Sequence, residues 1–385
     1  MDALILSCGT GGGHNAAASA IVEELTSRGH RAVMLNPYML HSRRLAEKID
    51  SLYIKAAQKA PTAFGAVYSA GELYRRLLFR SPVYFANYSM VPLMEEYLTR
   101  KYFDIIITTH LFPAEILTCM KKKGIHIPKT IFIATDYTCI PFTEETECDA
   151  YIIPSDKLKA VFTARGLPGE KLYPLGIPVS RSFSQKEDRQ TACKRLGLDP
   201  DKRYVLAAGG SMGGGKVKKI IQTLADEIAG RKDTKLIVIC GSNKRMYDEL
   251  VRKALPGVKV IGFTSDMAEY MKAADLFVTK PGGLSSTEAA VCGIPMIHVA
   301  PIPGCETYNA RFFSGCGMSR FCHTSKRELA EALKILDSKT ECDTMVRNQR
   351  KLIRPDSAGK ISDFAEKMAA SAASVTVNVL RSVSI

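Results

Sequence analysis

The sequence has no tryptophan, and its 11 cysteines are an odd number with no two spaced as C-x-x-C. The odd number and the spacing of the cysteines argue against a disulfide framework and against a cysteine-rich zinc site. We therefore expect a cytosolic protein whose thiols are reduced and mostly buried.

Long apolar runs are missing as well. The longest stretch without a charged residue, 3–22, contains four glycines together with His14 and Asn15. It is too polar to span a bilayer, and it has no basic start that would indicate a signal peptide. The next longest, 289–305, contains three prolines. We expect no transmembrane helix, so any membrane contact would be peripheral.

Acidic residues are outnumbered, with 39 Asp and Glu against 53 Lys and Arg and a formal net charge of +14. At 46% hydrophobic and 24% charged residues, the 385-residue chain has an ordinary globular composition. Disordered and fibrous classes are excluded, and the length indicates two or three domains. A surface this basic favours an anionic partner, which is nucleic acid, acidic lipid or a phosphorylated small molecule.

Short apolar runs, typical of buried strands, alternate with amphipathic helical stretches in two series. The first series of strands is 4–8, 31–35, 104–109, 129–134 and 150–153; the second is 204–208, 236–240, 258–261, 276–279 and 295–299. The pattern predicts an α/β protein with two doubly wound, Rossmann-like sheets. Ligands bind outside the carboxyl ends of such strands, so we expect the site in a cleft between the domains.

Two glycine-rich loops connect a strand to a helix, at 9–14 and 209–215. Glycine lets the backbone approach an anion, and a helix start offers free N–H groups. The first loop lacks the third glycine of a dinucleotide fingerprint because position 14 is histidine, and the second is not a Walker sequence. His14 is a candidate for acid–base work, the alternative being a histidine that packs the turn.

The loop at 280–288 contains two glycines, then hydroxyl residues and Glu288. Its helix start suits a diphosphate, and the Glu288 carboxylate could accept hydrogen bonds from two ribose hydroxyls. The alternative is that these residues only cap the helix. In the loop at 301–309, Glu306 and Asn309 are three positions apart, so both can face one side of a helix and hold sugar hydroxyls.

These segments resemble glycosyltransferase family 28, and within it the group of monogalactosyldiacylglycerol synthases and processive diacylglycerol glucosyltransferases. The similar segments are 7–17, 135–137, 176–179, 280–289 and 303–310. The chain departs from the group's pattern after Tyr137, where histidine and then tryptophan are frequent, and at Cys305, where glutamine is common.

The resemblance implies a GT-B fold and a UDP-sugar as donor substrate. It implies a lipid-acceptor domain at 1–178, a linker at 179–203, a donor domain at 204–357 and a helix at 358–385 that packs back on the first domain. The expected catalytic residues are His14 and Asp136, with Gly12, Gly13, His110 and Tyr137 on the acceptor side. The expected donor-binding residues are Gly210, Ser211, Met212, Gly213, Phe263, Thr264, Gly282, Gly283, Leu284, Ser285, Ser286, Glu288, Glu306 and Asn309.

We expect neither a metal nor another cofactor. The one D-x-D string, at 199–201, precedes a strand and is interpreted as a turn. Charge on the leaving diphosphate would then be stabilised by helix N-termini and main-chain N–H groups. His14 is the expected base and Asp136 its rival. The family implies a single displacement that inverts the anomeric carbon.

Segment 41–103 holds 11 of the 30 aromatic residues, with ten basic and five acidic residues. This mixture favours an anionic membrane surface, while an inserted helical subdomain with an ordinary core is the alternative. No nucleic-acid motif is evident. The leading hypothesis is hexose transfer from a UDP-sugar to a lipid, such as diacylglycerol, on the cytoplasmic face of the membrane. The alternatives are an N-acetylglucosaminyl transferase or epimerase of the same fold, and a nucleotide-sugar sensor.

Overall fold

The computed structural model of the chain describes residues 1–9, 12–59, 68, 70, 71, 73, 74, 80–208, 215–323 and 325–383. The chain forms two compact units. The first comprises Met1–Tyr53, Val67–Ser180 and Asp356–Ile385, and the second is formed mainly by Arg181–Pro355.

Each unit has one sheet of six strands in which every neighbouring pair is parallel. The strands of the first unit are β1 (Asp2–Leu6), β2 (Arg31–Leu35), β3 (Ile105–Thr108), β4 (Lys129–Ile133), β5 (Ala150–Ile152) and β6 (Leu172–Tyr173). Those of the second unit are β7 (Arg203–Ala208), β8 (Thr234–Ile239), β9 (Val258–Ile261), β10 (Leu276–Thr279), β11 (Met296–Val299) and β12 (Arg320–Cys322).

Helices connect the strands. Within the described residues, the α-helices are α1 (Gly12–Ser27), α2 (Arg43–Lys59), α3 (Pro82–Tyr88), α4 (Val91–Arg100), α5 (Leu111–Lys122), α6 (Lys159–Thr163), α7 (Arg181–Ser184), α8 (Arg189–Arg195), α9 (Gly215–Ala229), α10 (Lys244–Lys253), α11 (Met267–Ala273), α12 (Gly283–Cys292), α13 (Cys305–Gly315), α14 (Lys326–Leu333), α15 (Lys339–Leu352) and α16 (Ser357–Val383). Single 3₁₀ turns lie at Pro37–Leu40, Thr143–Glu145, Asp156–Leu158, Gly169–Lys171 and Lys334–Asp337. Among the described residues, no helix has the length and apolar character needed to cross a bilayer.

The order of the strands defines where ligands can bind. It is β2-β1-β3-β4-β5-β6 in the first sheet and β12-β11-β10-β7-β8-β9 in the second. The direction of winding reverses between β1 and β3, and again between β7 and β10. Loops at the carboxyl ends of these pairs diverge and leave a crevice. The prediction of two doubly wound parallel sheets is therefore confirmed.

The sheet of the first unit is covered on both faces, which explains why its strand β3 is buried at every position. On β3, Ile106 packs in a core with Met94 and Leu117. Its neighbours Ile105 and Ile107 point to the opposite core, because successive strand residues alternate between faces.

Helix α16 returns to the first unit and packs against α1. Ile361 and Ala365 are fully buried in the same core as Ile21 and Leu25. At the end of α1, the Arg28 guanidinium donates to Glu24 at 2.8 Å, Asp363 at 2.6 Å, Glu366 at 3.0 Å and the Gly359 carbonyl oxygen at 3.0 Å. One arginine thus satisfies three carboxylates and a helix carbonyl.

Replacing Arg28 with alanine should destabilise the packing of α16 on α1. Glu24 is buried, and it would lose its ion pair with the Arg28 guanidinium at 2.8 Å. We expect a loss of about 2 kcal/mol, typical of a broken, partly buried charge network. Amide hydrogen exchange of α1 and α16 measures this loss. Arg28→Lys keeps the charge without the planar fork, and it should be intermediate. Equal exchange in all three proteins would contradict the assignment.

Candidate functional site

His14 lies in the first turn of α1, at the switch point of the first sheet. Its Nδ1 is 2.8 Å from the carbonyl oxygen of Thr109 and 3.0 Å from Oγ1 of Thr135. A carbonyl oxygen can only accept, so Nδ1 must carry the hydrogen. The neutral ring therefore presents Nε2 as its lone-pair nitrogen, which is the form that a general base requires.

The main chain around His14 is tied across three elements. Thr109 Oγ1 is 3.0 Å from the His14 carbonyl oxygen and 3.1 Å from Ser7 Oγ. Ser7 in turn donates to Asn15 Oδ1 at 2.7 Å. These bonds join the end of β1, the start of α1 and the end of β3. The position of the imidazole is thus set by the fold and not by an isolated side-chain contact.

Burial lowers the pKa of His14, while the negative charge of Asp136 and the hydrogen bond to Thr109 act in the opposite direction. The imidazole is thus neutral near pH 7. Asp136 follows β4 and lines a small cavity together with His14, Thr138 and Phe162. The structure therefore brings the two predicted catalytic residues to one place.

The other acceptor-side residues have different surroundings. His110 is buried at the start of α5, where its Nδ1 accepts from the Phe112 N–H at 3.1 Å. Its ring meets the His14 ring edge-on, with 4.6 Å between centroids, and burial followed by the charge of His14 holds its pKa well below the ordinary value. Tyr137 is buried, and Gly12 is exposed at the start of α1 with Gly13 beside it.

In the second unit, α12 begins directly after β10, with Gly282 as its N-cap in an extended conformation and no side chain capping the helix. The Ser286 N–H donates to the Gly282 carbonyl oxygen at 3.0 Å. The N–H groups of Gly283, Leu284 and Ser285 precede this first helical bond, so they have no partner within the helix. Three donors at the positive end of a helix form a suitable site for a phosphate group.

The Ser286 side chain is used inside the protein. Ser286 is fully buried, and its Oγ lies 3.0 Å from Nε2 of His298 on β11. Nδ1 of the same imidazole is 3.1 Å from Ser319 Oγ, and burial lowers the pKa of His298 to about 3. A neutral histidine thus anchors α12 to β11, whereas Ser285 is partly exposed.

Glu288 is one turn further along α12. It is partly exposed, and no described residue makes a hydrogen bond or an ion pair with its carboxylate. Burial raises its pKa to about 7. The carboxyl group therefore retains its capacity to accept hydrogen bonds from a ligand, such as those of a diol.

Glu306 and Asn309 are close to the same loop, and both contact other groups of the protein. Glu306 Oε2 accepts from the Ile302 N–H at 2.7 Å, and its Oε1 is 3.6 Å from Lys280 Nζ. Asn309 is fully buried and donates to the Pro281 carbonyl oxygen at 3.0 Å. Both residues therefore brace the loop between β10 and α12.

The remaining donor-side predictions are more scattered. Phe263 follows β9 and is 81% exposed, which leaves its ring free for stacking. Thr264 Oγ1 accepts from the Asp266 N–H at 3.0 Å. Gly210, Ser211, Met212 and Gly213 lie outside the described residues. Asp201 donates its N–H to Asp199 Oδ1 at 2.9 Å, so the D-x-D string forms a turn as predicted.

Sequence reasoning missed Lys280, His298, Thr109 and Thr135. Lys280 stands at the carboxyl end of a strand, a position where a basic residue is a usable signal. Thr135 begins the segment 135–137 that carries the resemblance, whereas His298 and Thr109 have no such signal, because a lone histidine or threonine in an apolar strand is common. Within the described residues, no cluster of three or more His, Cys, Asp or Glu side chains could hold a metal ion.

Two family models match the chain. The family model of monogalactosyldiacylglycerol (MGDG) synthase matches residues 14–179, and that of the glycosyltransferase family 28 C-terminal domain matches residues 204–361. The processive diacylglycerol beta-glucosyltransferase of Bacillus licheniformis is 25% identical over 354 residues, which are 91% of this chain and 90% of the relative.

Solved structures share the fold. MurG of Acinetobacter baumannii superposes with a TM-score of 0.63 at 15% identity, covering 95% of this chain and 99% of that one. The Anabaena protein HepE, crystallised in complex with UDP-glucose, has a TM-score of 0.54 at 14% identity, covering 97% and 100%.

Two doubly wound sheets with this strand order define a GT-B fold, and the family models and relatives identify the chain as a hexosyltransferase. More narrowly, the chain belongs to glycosyltransferase family 28, in the group of MGDG synthases and processive diacylglycerol glucosyltransferases.

Changing Glu288 to glutamine should stabilise the ligand-free protein at pH 8. A raised carboxyl pKa means that the fold disfavours the charged form, so the penalty grows between pH 4.5 and about 7 and is complete above it. After discounting for partial exposure, we expect a gain of about 1–2 kcal/mol at pH 8 that vanishes near pH 4.5. Urea unfolding at both pH values measures it. Glu331→Gln, at an exposed ion pair with Lys334, is the matched control and should show no such gain.

Proposed function

We propose that this protein is an inverting glycosyltransferase that moves a hexose from a UDP-sugar to a lipid, most simply diacylglycerol, at a membrane surface. The observation that carries this proposal is the neutral His14, held with Nε2 as its lone-pair nitrogen in a chain whose relative acts on diacylglycerol. The following steps derive what the named residues would do.

The donor would bind at the start of α12. The N–H groups of Gly283, Leu284 and Ser285 would donate hydrogen bonds to the diphosphate, and Glu288 would accept hydrogen bonds from the ribose hydroxyls. As the bond to the anomeric carbon breaks, negative charge grows on the leaving diphosphate. Each preorganised donor directed at that charge is worth about 3 kcal/mol. Donors fixed in this way can act without a metal ion, which is the form of the reaction that we propose.

Glu306 and Asn309 would support the donor sugar indirectly, through the protein loop that they hold in place. Both side chains hold the loop that contains Lys280 and Pro281. A loop fixed at this edge determines where the sugar can lie relative to the diphosphate. Phe263, exposed beyond β9, would border the uracil ring together with Thr264.

The acceptor hydroxyl would be activated by His14. Its Nε2 removes the proton as the oxygen attacks the anomeric carbon, while Nδ1–H remains bonded to the Thr109 carbonyl oxygen. Asp136 would stabilise the imidazolium that forms, since its negative charge already opposes the lowering of the His14 pKa by burial. Attack from the face opposite the diphosphate inverts the anomeric carbon.

The lipid surface is supported by the described part of segment 41–103. Phe85 and Tyr88 on α3 are 63% and 43% exposed, and Lys123 Nζ lies 4.5 Å from the centroid of the Tyr88 ring. Aromatic rings beside cations suit the headgroup region of an anionic bilayer. Other residues of the segment, such as Val91 and Met94, form ordinary core. The segment therefore has an ordinary core on one side and an exposed aromatic and basic surface on the other. We propose that this surface attaches the protein peripherally to the cytoplasmic face of the membrane.

His14→Ala should lower kcat by at least about 100-fold with little change in donor affinity, because a base acts in the transition state. Asp136→Asn should move the acidic limb of kcat to lower pH, since removing the negative charge lowers the pKa of His14 further. Rate–pH profiles of both variants test this, with the exposed Asp156→Asn as control. If Asp136→Asn instead abolishes turnover at every pH, Asp136 is the base.

Product analysis tests the function as a whole. A panel of UDP-hexoses with diacylglycerol-containing vesicles should give a β-glycolipid, and turnover should persist in EDTA. Donor binding without transfer to any lipid would instead indicate a sensor. Transfer to a polyprenyl-linked acceptor, or epimerisation of the donor, would replace the lipid assignment. Strict dependence on Mg²⁺ or Mn²⁺ would contradict stabilisation by main-chain donors alone.

A further inference from the structure

A cavity of about 960 Å³ lies within the second unit, on the edge of the sheet opposite the donor site proposed above. Its lining includes Arg203, which begins β7, Asp275, which precedes β10, and Ile294 and Pro295, which precede β11. These are the amino ends of the strands, whereas α12 starts at a carboxyl end. The cavity is therefore separate from the donor site, and its volume is within the range of roughly 300–1,000 Å³ typical of small-molecule sites.

Helix α12 runs between the two places. It starts at the loop proposed for the diphosphate and ends at Cys292, and its C-cap Gly293, whose φ is 74°, lines the cavity. The negative end of the helix dipole is therefore at the cavity. The Arg350 guanidinium lies at this end, because a Cβ placed on Gly293 would be 3.6 Å from its Nη2. Arg350 thus offsets the repulsion that the helix end would exert on an anion.

The lining of the cavity has more positive than negative charge, with five basic and three acidic side chains. Each acidic side chain is already paired with a cation: Asp275 with Arg189 at 3.0 Å, Asp337 with Arg231 at 2.9 Å and Asp343 with Lys339 at 2.6 Å. The three carboxylates are therefore neutralised within the protein. The lining keeps a surplus of about two positive charges, which favours an anionic ligand.

Two of the basic side chains, Arg347 and Arg350, belong to α15. Together with Asp343 and Val346 they are spaced three and four residues apart, so one face of this helix lines the cavity. Within the part of the chain that the structure describes, neither guanidinium makes a hydrogen bond or an ion pair. Their donors are therefore available to a ligand, and the planar fork of a guanidinium matches two oxygens of a phosphate group.

Lys272, in the last turn of α11, is a third cation of the cavity and is largely buried. Its side chain is 10% exposed, and its Nζ is 3.8 Å from Glu187 Oε2, which is too long for a hydrogen bond. The other oxygen of that carboxylate is paired with Arg195. No described residue accepts a hydrogen bond from the Lys272 ammonium. Such a buried cation is unfavourable unless a ligand supplies the missing acceptors.

Apolar side chains complete the lining, among them Ile294, Leu336 and Val346. We propose that this cavity binds a soluble phosphate monoester that carries an apolar group, with the phosphate held by Lys272, Arg347 and Arg350. Such a monoester has about two negative charges at pH 7, which matches the surplus of the lining. The proposal goes beyond the proposed function, which uses the carboxyl edge of the same sheet.

Calorimetric titration of phenyl phosphate into the full chain, in phosphate-free buffer with saturating UDP, tests the proposal. UDP fills the proposed donor site, so the second anion must bind elsewhere. We expect binding at one site that weakens with added NaCl. Inorganic phosphate lacks the apolar group, and benzoate has a single charge, so each should bind about tenfold more weakly than phenyl phosphate.

Variants locate the site. Arg347→Ala and Arg350→Ala should each weaken the binding of phenyl phosphate by about tenfold and leave the affinity for UDP unchanged. Lys272→Met keeps the apolar stem without the ammonium and should show a similar loss. Lys351→Ala is the matched control, because it removes an exposed cation of α15 that does not line the cavity. In the wild-type protein, phenyl phosphate should also slow amide hydrogen exchange in α15 and in residues 290–295.

Absence of phenyl phosphate binding to the UDP-saturated wild-type protein would overturn the proposal. Unchanged affinity in both arginine variants would do the same, and so would an equal loss in Lys351→Ala, which would indicate attraction by the net charge of the chain. Inorganic phosphate that binds as tightly as phenyl phosphate would contradict the apolar part of the ligand. If Lys272→Met does not fold, the two exposed arginine positions decide.

Failure of the proposed function gives a different result. A protein that binds no UDP would contradict the donor site at the start of α12. Titration of the arginine variants without UDP would still decide whether the cavity binds the phosphate monoester.

Discussion

The hydrogen bond from His14 Nδ1 to the Thr109 carbonyl oxygen is the contact on which the proposed chemistry of the first unit depends. It joins the start of α1 to the end of β3, the two loops that diverge where the winding of the sheet reverses. A main-chain carbonyl has only one role in a hydrogen bond, so the fold itself selects the tautomer. Burial then keeps the ring neutral. The strand order places the Thr109 carbonyl oxygen beside His14, and burial keeps the His14 ring neutral. Together they leave the lone pair of the ring at Nε2.

The second unit follows the same principle with different residues. Side chains near the loop between β10 and α12 are bound to the protein's own main chain, as in the bond from Asn309 to the Pro281 carbonyl oxygen. Ser286 likewise joins His298 below the helix. Because these residues satisfy internal groups, the N–H groups at the start of α12 and the carboxyl of Glu288 are the groups among the described residues of this loop that we propose for a ligand. Polar residues at the site therefore divide into supports and contacts, a division that sequence spacing does not reveal.

Apolar runs and glycine-rich loops were sufficient to predict both sheets and the positions of ten strands. They missed β6 and β12, which have two and three residues and so show no hydrophobic period. Side-chain direction was harder to predict. The sequence at 280–288 places the Ser286 hydroxyl near the start of a helix. Whether this hydroxyl faces a ligand or His298 depends on the packing of α12 against β11.

Burial has the same effect on the two ionisable groups that matter most, although one is an acid and the other a base. It raises the pKa of Glu288 to about 7 and lowers that of His14, so both favour their neutral forms in the free protein. For the proposed reaction this is useful in two ways. A partly neutral Glu288 repels an approaching diphosphate less than a fixed carboxylate would, and it ionises once ribose hydroxyls donate to it. A neutral His14 is ready to take a proton without first losing one. The cost in stability of these buried groups is thus part of how the site works.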